Sequence, residues 1–260
     1  SVARGTWIPF PSARTSIWPC RPTAVASPSM PSTLTKMSIG AAQVALRDKD
    51  SSIVAGSNRV LRFNGNAAPA IPAGATYLSD PVDMKVAGFA DLAIDLYIPG
   101  NTKEMKGPIT THPASWQTEY VRRTGNHAGV VNFPVETTTH YRRADGTVSA
   151  SSFFLARVEV EVQGPVIGLV TLGDSITDGT ASGIDRNQRW PDFLARRLAR
   201  ANVRVALMNV GIGGNRILDG GSPSALSRLD RDVLAAFRIE ASDKVPIYQA
   251  GFSSYAASLV

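Results

Sequence analysis

Across residues 38–163, apolar and polar positions alternate in short stretches separated by turn formers, the period expected of half-buried strands. Leu92, Ile94, Leu96 and Ile98 fall on one face, and Asp91, Ala93, Asp95 and Tyr97 on the other. Val158, Val160 and Val162 alternate with Arg157, Glu159 and Glu161, and residues 59–63 repeat the pattern. Asn64-Gly65, Pro72-Ala73-Gly74, Pro99-Gly100 and Asp145-Gly146 supply turns between them. The pattern predicts an antiparallel β-sandwich domain over residues 37–164.

At Val166 the period changes. Residues 166–172 form an uninterrupted apolar run bounded by glycines, as a parallel strand covered on both faces would. Trp190, Phe193, Leu194 and Leu198 then recur at helical spacing, with Arg196, Arg197 and Arg200 left for solvent. A second strand is predicted over 203–210, a second helix from Leu226, Leu229, Val233 and Phe237, and a further strand and glycine turn over 245–253. Strand, helix, strand, helix begins a doubly wound α/β domain, predicted over residues 165–260. Residues 1–36 differ from both: Pro9, Pro11, Pro19, Pro22, Pro28 and Pro31 lie among serines without periodicity, which predicts an irregular segment.

Composition narrows the function classes. Of 260 residues, 43% are hydrophobic, so the chain can bury a core. No apolar run reaches the length of a membrane span. The single cysteine, Cys20, can form neither an intrachain disulfide nor a cysteine-based metal site. Arg4, Arg14, Arg21 and Lys36, with no acidic residue among the first 36, account for four of the six net positive charges. The rest is close to balanced and holds no basic run interleaved with aromatics, so nucleic acid is not the expected partner. The compartment and the oligomeric state stay open.

Two glycine-rich segments carry the candidate chemistry. Gly173-Asp174-Ser175-Ile176-Thr177-Asp178-Gly179 places a serine at the carboxyl end of the first parallel strand, where open α/β sheets bind ligands. Gly211-Ile212-Gly213-Gly214-Asn215-Arg216 follows the second parallel strand, so both segments face one crevice. Backbone amides there can stabilise an oxyanion. The rival readings are an ordinary strand-to-helix turn and a phosphate cradle, the latter weakened because no lysine follows the glycines as in a P-loop.

These segments, together with Arg189-Trp190-Pro191-Asp192 and the block Ser227-Arg228-Leu229-Asp230-Arg231-Asp232-Val233-Leu234, resemble the GDSL, or SGNH, hydrolase family. Residues 39–46 and 72–82 resemble the N-terminal β-sandwich that some members carry. The resemblance covers about residues 38–235. It implies an incomplete SGNH-type, flavodoxin-like doubly wound sheet behind the sandwich, and a carboxylic ester hydrolase (esterase or lipase) acting through a serine acyl-enzyme. Ser175 would be the nucleophile, the amides of Ser175 and Gly214 the oxyanion donors, and Asn215 a further candidate for contact with substrate or oxyanion. No metal or organic cofactor is implied, and the substrate would be a small-molecule, lipid or carbohydrate ester.

The chain departs from the family at its end. The Gly-x-Asn-Asp and Asp-x-x-His blocks, which supply an oxyanion donor, the base and its orienting acid, are absent, with Ser253 standing where an Asn is expected. His112, His127 and His140 all precede Ser175 and are read as surface or structural residues of the sandwich, so the general base is unassigned. Asp174 is expected to bond local backbone, Asp178 to cap or shape its loop, and Asp192 to complement a helix dipole. Arg189 and Trp190 are expected to fix the first helix. About 95 residues after Pro165 are few for a sheet of about five parallel strands. The sequence thus reads as truncated or frame-shifted at both ends, and the second reading is a catalytically inactive homologue whose sandwich binds carbohydrate or a partner.

Overall fold

A computed structural model of the chain describes residues 2–7, 13–19, 36–72, 75, 77–101, 111–160, 166–218, 223–234 and 247–251. The chain groups into two units. The first comprises Ser1–Thr111, Gln117–Tyr141 and Ala150–Gln163; the second comprises His112–Trp116, Arg142–Ser149 and Gly164–Val260. Two short stretches inside residues 37–164, expected to be sandwich throughout, are therefore part of the C-terminal unit.

In the first unit a six-stranded antiparallel sheet runs in the order Thr137–Thr138, Glu119–Arg122, Val2–Trp7, Leu92–Tyr97, Ala41–Leu46, Arg59–Val60. A three-stranded antiparallel sheet joins Leu155–Val160, Ala13–Pro19 and Val82–Met84. The irregular segment expected over residues 1–36 is thus corrected at Val2–Trp7 and Ala13–Pro19, which each pair on both edges. Neither stretch has an internal proline, Pro19 stands last, and distant backbone partners supply the ladder that local pattern could not reveal.

The Leu92–Tyr97 strand also departs from the expected half-buried pattern. Leu92, Ile94 and Leu96 enter the main core with Ile39, Val44 and Leu61. Each stabilises the unit by about 1.5–3 kcal/mol through burial. The opposite face is covered too: Ala93 packs with Ala45 and Ile53, and buried Asp95 accepts the Gly129 amide at 2.7 Å. A buried carboxylate survives here because a backbone donor meets it.

The second unit is built on a parallel sheet ordered Val205–Asn209, Ile167–Gly173, Ile247–Gly251. The first strand in sequence lies in the middle, so the chain steps to one side and then returns to the other. Its run Leu169, Val170, Thr171 and Leu172 is buried, as continuous apolarity predicts. Helix α1 (Ser175–Asp178) leaves the central strand, and α2 (Trp190–Arg200) precedes the second.

A capping box opens α2, in which the Arg189 amide donates to Asp192 Oδ2 at 2.8 Å. Its inward stripe is Pro191, Leu194, Ala195 and Leu198. Phe193, expected on that stripe, is 49% exposed and lies under the Arg196 guanidinium, 4.6 Å from the ring centroid. The helix expected around Leu226–Val233 is a 3₁₀ turn, Leu226–Arg228, followed by a wider π-type turn, Asp230–Leu234. Phe237 lies outside the described residues, as does Ser253. No helix among the described residues is long and apolar enough to cross a membrane.

Candidate active site

Ser175 stands two residues beyond the end of the central strand and opens α1. Asp174 caps the turn, its Oδ1 accepting the Ile176 amide at 3.0 Å, as its position led one to expect. Gly179 closes the turn at φ 118° and donates its amide to the Ser175 carbonyl. A Cβ there would stand 2.6 Å from Arg189 Cγ, so both backbone conformation and space demand glycine. Ser175 is half-buried, and neighbouring Ile176 is exposed.

The second loop is stitched to the first. Asn209, the last residue of its strand, donates Nδ2 to the Thr177 carbonyl at 2.7 Å and accepts the Gly211 amide at 2.9 Å. The Ile212 amide donates to the Gly173 carbonyl. At Gly211 a Cβ would meet Asp178 N at 2.3 Å, so this glycine lets two backbones touch. Gly213 donates its amide to Asp178 Oδ2 at 3.0 Å. Gly214 follows at φ 73° with open space where a side chain would stand.

Asp178, expected to shape its own loop, therefore organises the neighbouring one. It is 5% exposed, and its other oxygen takes a hydrogen bond from His112 Nε2 at 2.7 Å. Arg189 adds a parallel link: Nε donates to the Asp178 carbonyl at 3.0 Å and Nη2 to the Ser115 carbonyl at 2.7 Å. Trp190 Nε1 reaches Thr177 Oγ1 at 3.4 Å. Arg189 and Trp190, expected to fix the helix over 190–198 against the sheet, bond instead to α1, through the Asp178 carbonyl and Thr177 Oγ1.

Asn215 is corrected. Its side chain is 3% exposed, with Nδ2 donating to the Pro223 carbonyl at 2.7 Å and Oδ1 accepting from Arg228. An amide spent inside the loop does not face a substrate. Sequence reasoning missed Arg228, which is 1% exposed and reaches the ends of both strands. Its Nη1 donates to the Val210 carbonyl at 2.6 Å and its Nη2 to the Gly173 carbonyl at 3.4 Å. Burial holds this guanidinium below its ordinary value, while Asp232, 3.1 Å away, works in the opposite sense. The available signal was the Arg228, Asp232 spacing of four on one turn.

Of the three histidines, His112 belongs to the second unit and bonds Asp178. His140 Nε2 is bonded to Thr118 Oγ1 and His127 Nε2 to the Thr124 carbonyl, both within the first unit. Among the described residues no group of three or more His, Cys, Asp and Glu side chains could hold a metal ion.

No curated protein matches the chain. Among solved structures it is similar to a family two carbohydrate esterase from Clostridium thermocellum in complex with cellohexaose. That likeness has 11% identity and a TM-score of 0.19, and covers 88% of this chain and 50% of that one. It is also similar to a family two carbohydrate esterase from Cellvibrio japonicus, at 9% identity and a TM-score of 0.17, over 85% and 55% of the two chains. The chain thus spans about half the length of these structures. Residues 171–245, the stretch that carries Ser175, Asp178, Gly214 and Arg228, match the model of the GDSL-like lipase/acylhydrolase family.

Proposed function

We propose that the second unit is the N-terminal part of an SGNH-type hydrolase domain, preceded by a β-sandwich, and that it hydrolyses carboxylic esters through Ser175. The observation carrying this reading is the position of Ser175. It stands half-buried at the carboxyl end of the middle parallel strand, where the strand order reverses and open α/β sheets bind ligands. It does so inside the stretch that matches an acylhydrolase family.

In this mechanism Ser175 Oγ attacks the ester carbonyl carbon, its proton passes to a base, and the carbonyl oxygen becomes an oxyanion. The amides of Ser175 and Gly214 receive that charge; the open space beside Gly214 supports its backbone role. Collapse expels the alcohol, and water then cleaves the serine ester. No metal or organic cofactor takes part. The reading assigns no base, because among the described residues no hydrogen bond joins a histidine to Ser175.

That last observation favours a second reading, a silent homologue whose sandwich binds carbohydrate or a partner. Hydrolysis of a short-chain p-nitrophenyl ester by the chain and by Ser175→Ala separates the two. Turnover lost in the variant supports the esterase. Equal rates, together with no labelling of Ser175 by a fluorophosphonate, overturn it.

A further inference from the structure

We propose that His112 is a positioning residue for the Gly213-Gly214 loop, acting through Asp178; its effect on catalysis, though not on loop order, rests on the esterase reading above. A hydrogen-bonded relay links three places in the sequence. His112 Nε2 donates to Asp178 Oδ1 at 2.7 Å, and Asp178 Oδ2 accepts the Gly213 amide at 3.0 Å. An ionised carboxylate has only acceptor sites, so each oxygen can serve one of these donors. Orientation at one oxygen then fixes the other.

Without the imidazole, Asp178 would lose the donor that holds its side-chain torsion, and a buried carboxylate oxygen would be left unmatched. The Gly213 amide would then have a partner free to rotate away. Gly214, next in the chain, has no side chain to hold it by packing, so its amide direction depends on Gly213.

The segment bearing His112 is itself secured. Its Ser115 carbonyl accepts from Arg189 Nη2, and its Trp116 carbonyl accepts the Asp185 amide at 3.0 Å. Trp116 is buried at φ 55°, a left-handed conformation costly for a bulky residue and held by its surroundings. His112 is therefore presented from a fixed strap within the second unit.

The test compares His112→Met, which fills similar space without a donor, with His112→Gln, which retains one. Amide hydrogen exchange over residues 208–218 is the first readout, and kcat against KM for the p-nitrophenyl ester is the second. His112→Met is expected to exchange about 10-fold faster at Gly213 while the rest of the unit keeps its protection. It should lower kcat by about 10- to 100-fold with KM nearly unchanged, because a misdirected oxyanion donor is felt in the transition state. His112→Gln should recover most of both, and His127→Ala should alter neither. Unchanged exchange in His112→Met, equal loss in His112→Gln, or global unfolding of both overturns the proposal. If the unmodified chain shows no turnover, the esterase reading falls, and exchange still decides the role of His112.

Discussion

Arg228 grips the Asn215 amide oxygen with two nitrogens at once, Nε at 3.1 Å and Nη2 at 2.6 Å. Its remaining donors go to the Val210 and Gly173 carbonyls, at the ends of adjacent parallel strands, and to Asp232 Oδ2 at 3.1 Å. A single buried fork thus spans the base of both glycine loops.

Arg228→Met is expected to destabilise the second unit by about 3 kcal/mol, since three backbone or amide oxygens lose a charged donor out of water. Arg228→Lys should recover little of this, because a point charge cannot serve a planar set of acceptors. Urea unfolding of both variants measures the difference. Equal stability of Arg228→Lys and the parent chain would contradict the fork.

Two glycines in one loop should respond differently to alanine. At Gly211 the new methyl would lie 2.3 Å from Asp178 N and 2.7 Å from the Thr177 carbonyl carbon, so the backbones must part. At Gly214 it meets nothing within 4 Å and costs only the left-handed conformation, about 1–2 kcal/mol. Thermal melts should rank Gly211→Ala well below Gly214→Ala; the reverse order would refute the close approach of the loops.

Glu119 should make the first unit less stable as pH rises. It is 4% exposed; Oε1 accepts the Phe153 amide at 2.6 Å, and Oε2 has no partner among the described residues. Burial pushes its carboxyl up from 4.5 to about 8, with the Phe153 amide opposing. Below about pH 4.5 folded and unfolded chains are both protonated here. Between about 4.5 and 8 only the unfolded chain gives up the proton, so stability falls across that window and levels above it. Glu119→Gln should remove this decline in melts recorded from pH 4 to 9, whereas an unchanged pH profile would contradict it.

Asp192→Ala should cost about 1 kcal/mol, because its Oδ2 caps the Arg189 amide and anchors the start of α2. Equilibrium unfolding measures it. Asp192→Asn should lose less, since an amide oxygen still accepts that bond.

What the sequence made legible was whatever depends on neighbours in the chain. The central strand of the second unit follows from an unbroken apolar run, Asp174 bonds local backbone as its place before Ser175 suggests, and Asp192 stands in the first turn of α2. The seven-residue glycine motif put Ser175 at the carboxyl end of that strand, where it stands. What stayed hidden depends on distant partners. His112 stands 66 residues before Asp178, and nothing local in His112-Pro113 signals a carboxylate. Arg228 binds carbonyl groups, which every residue carries, so no side-chain pattern records them. Phe193 and Ala195 both fit a helical stripe, and packing gave the inner place to the smaller residue. Asn215 looked like a donor facing outward because the arginine that claims it comes 13 residues later.

The carboxylate of Asp178 also dictates the chemical form of the ring beside it. With one oxygen committed to an amide N–H and the other facing Nε2, the imidazole must carry its proton on Nε2. An Asp178→Asn chain, nearly identical in shape, can keep the Gly213 bond only by turning its NH₂ toward the ring, which must then present a lone pair and move its proton to Nδ1. One oxygen exchanged for nitrogen would thus select the opposite imidazole tautomer, a change written in the ¹⁵N shifts of a single ring.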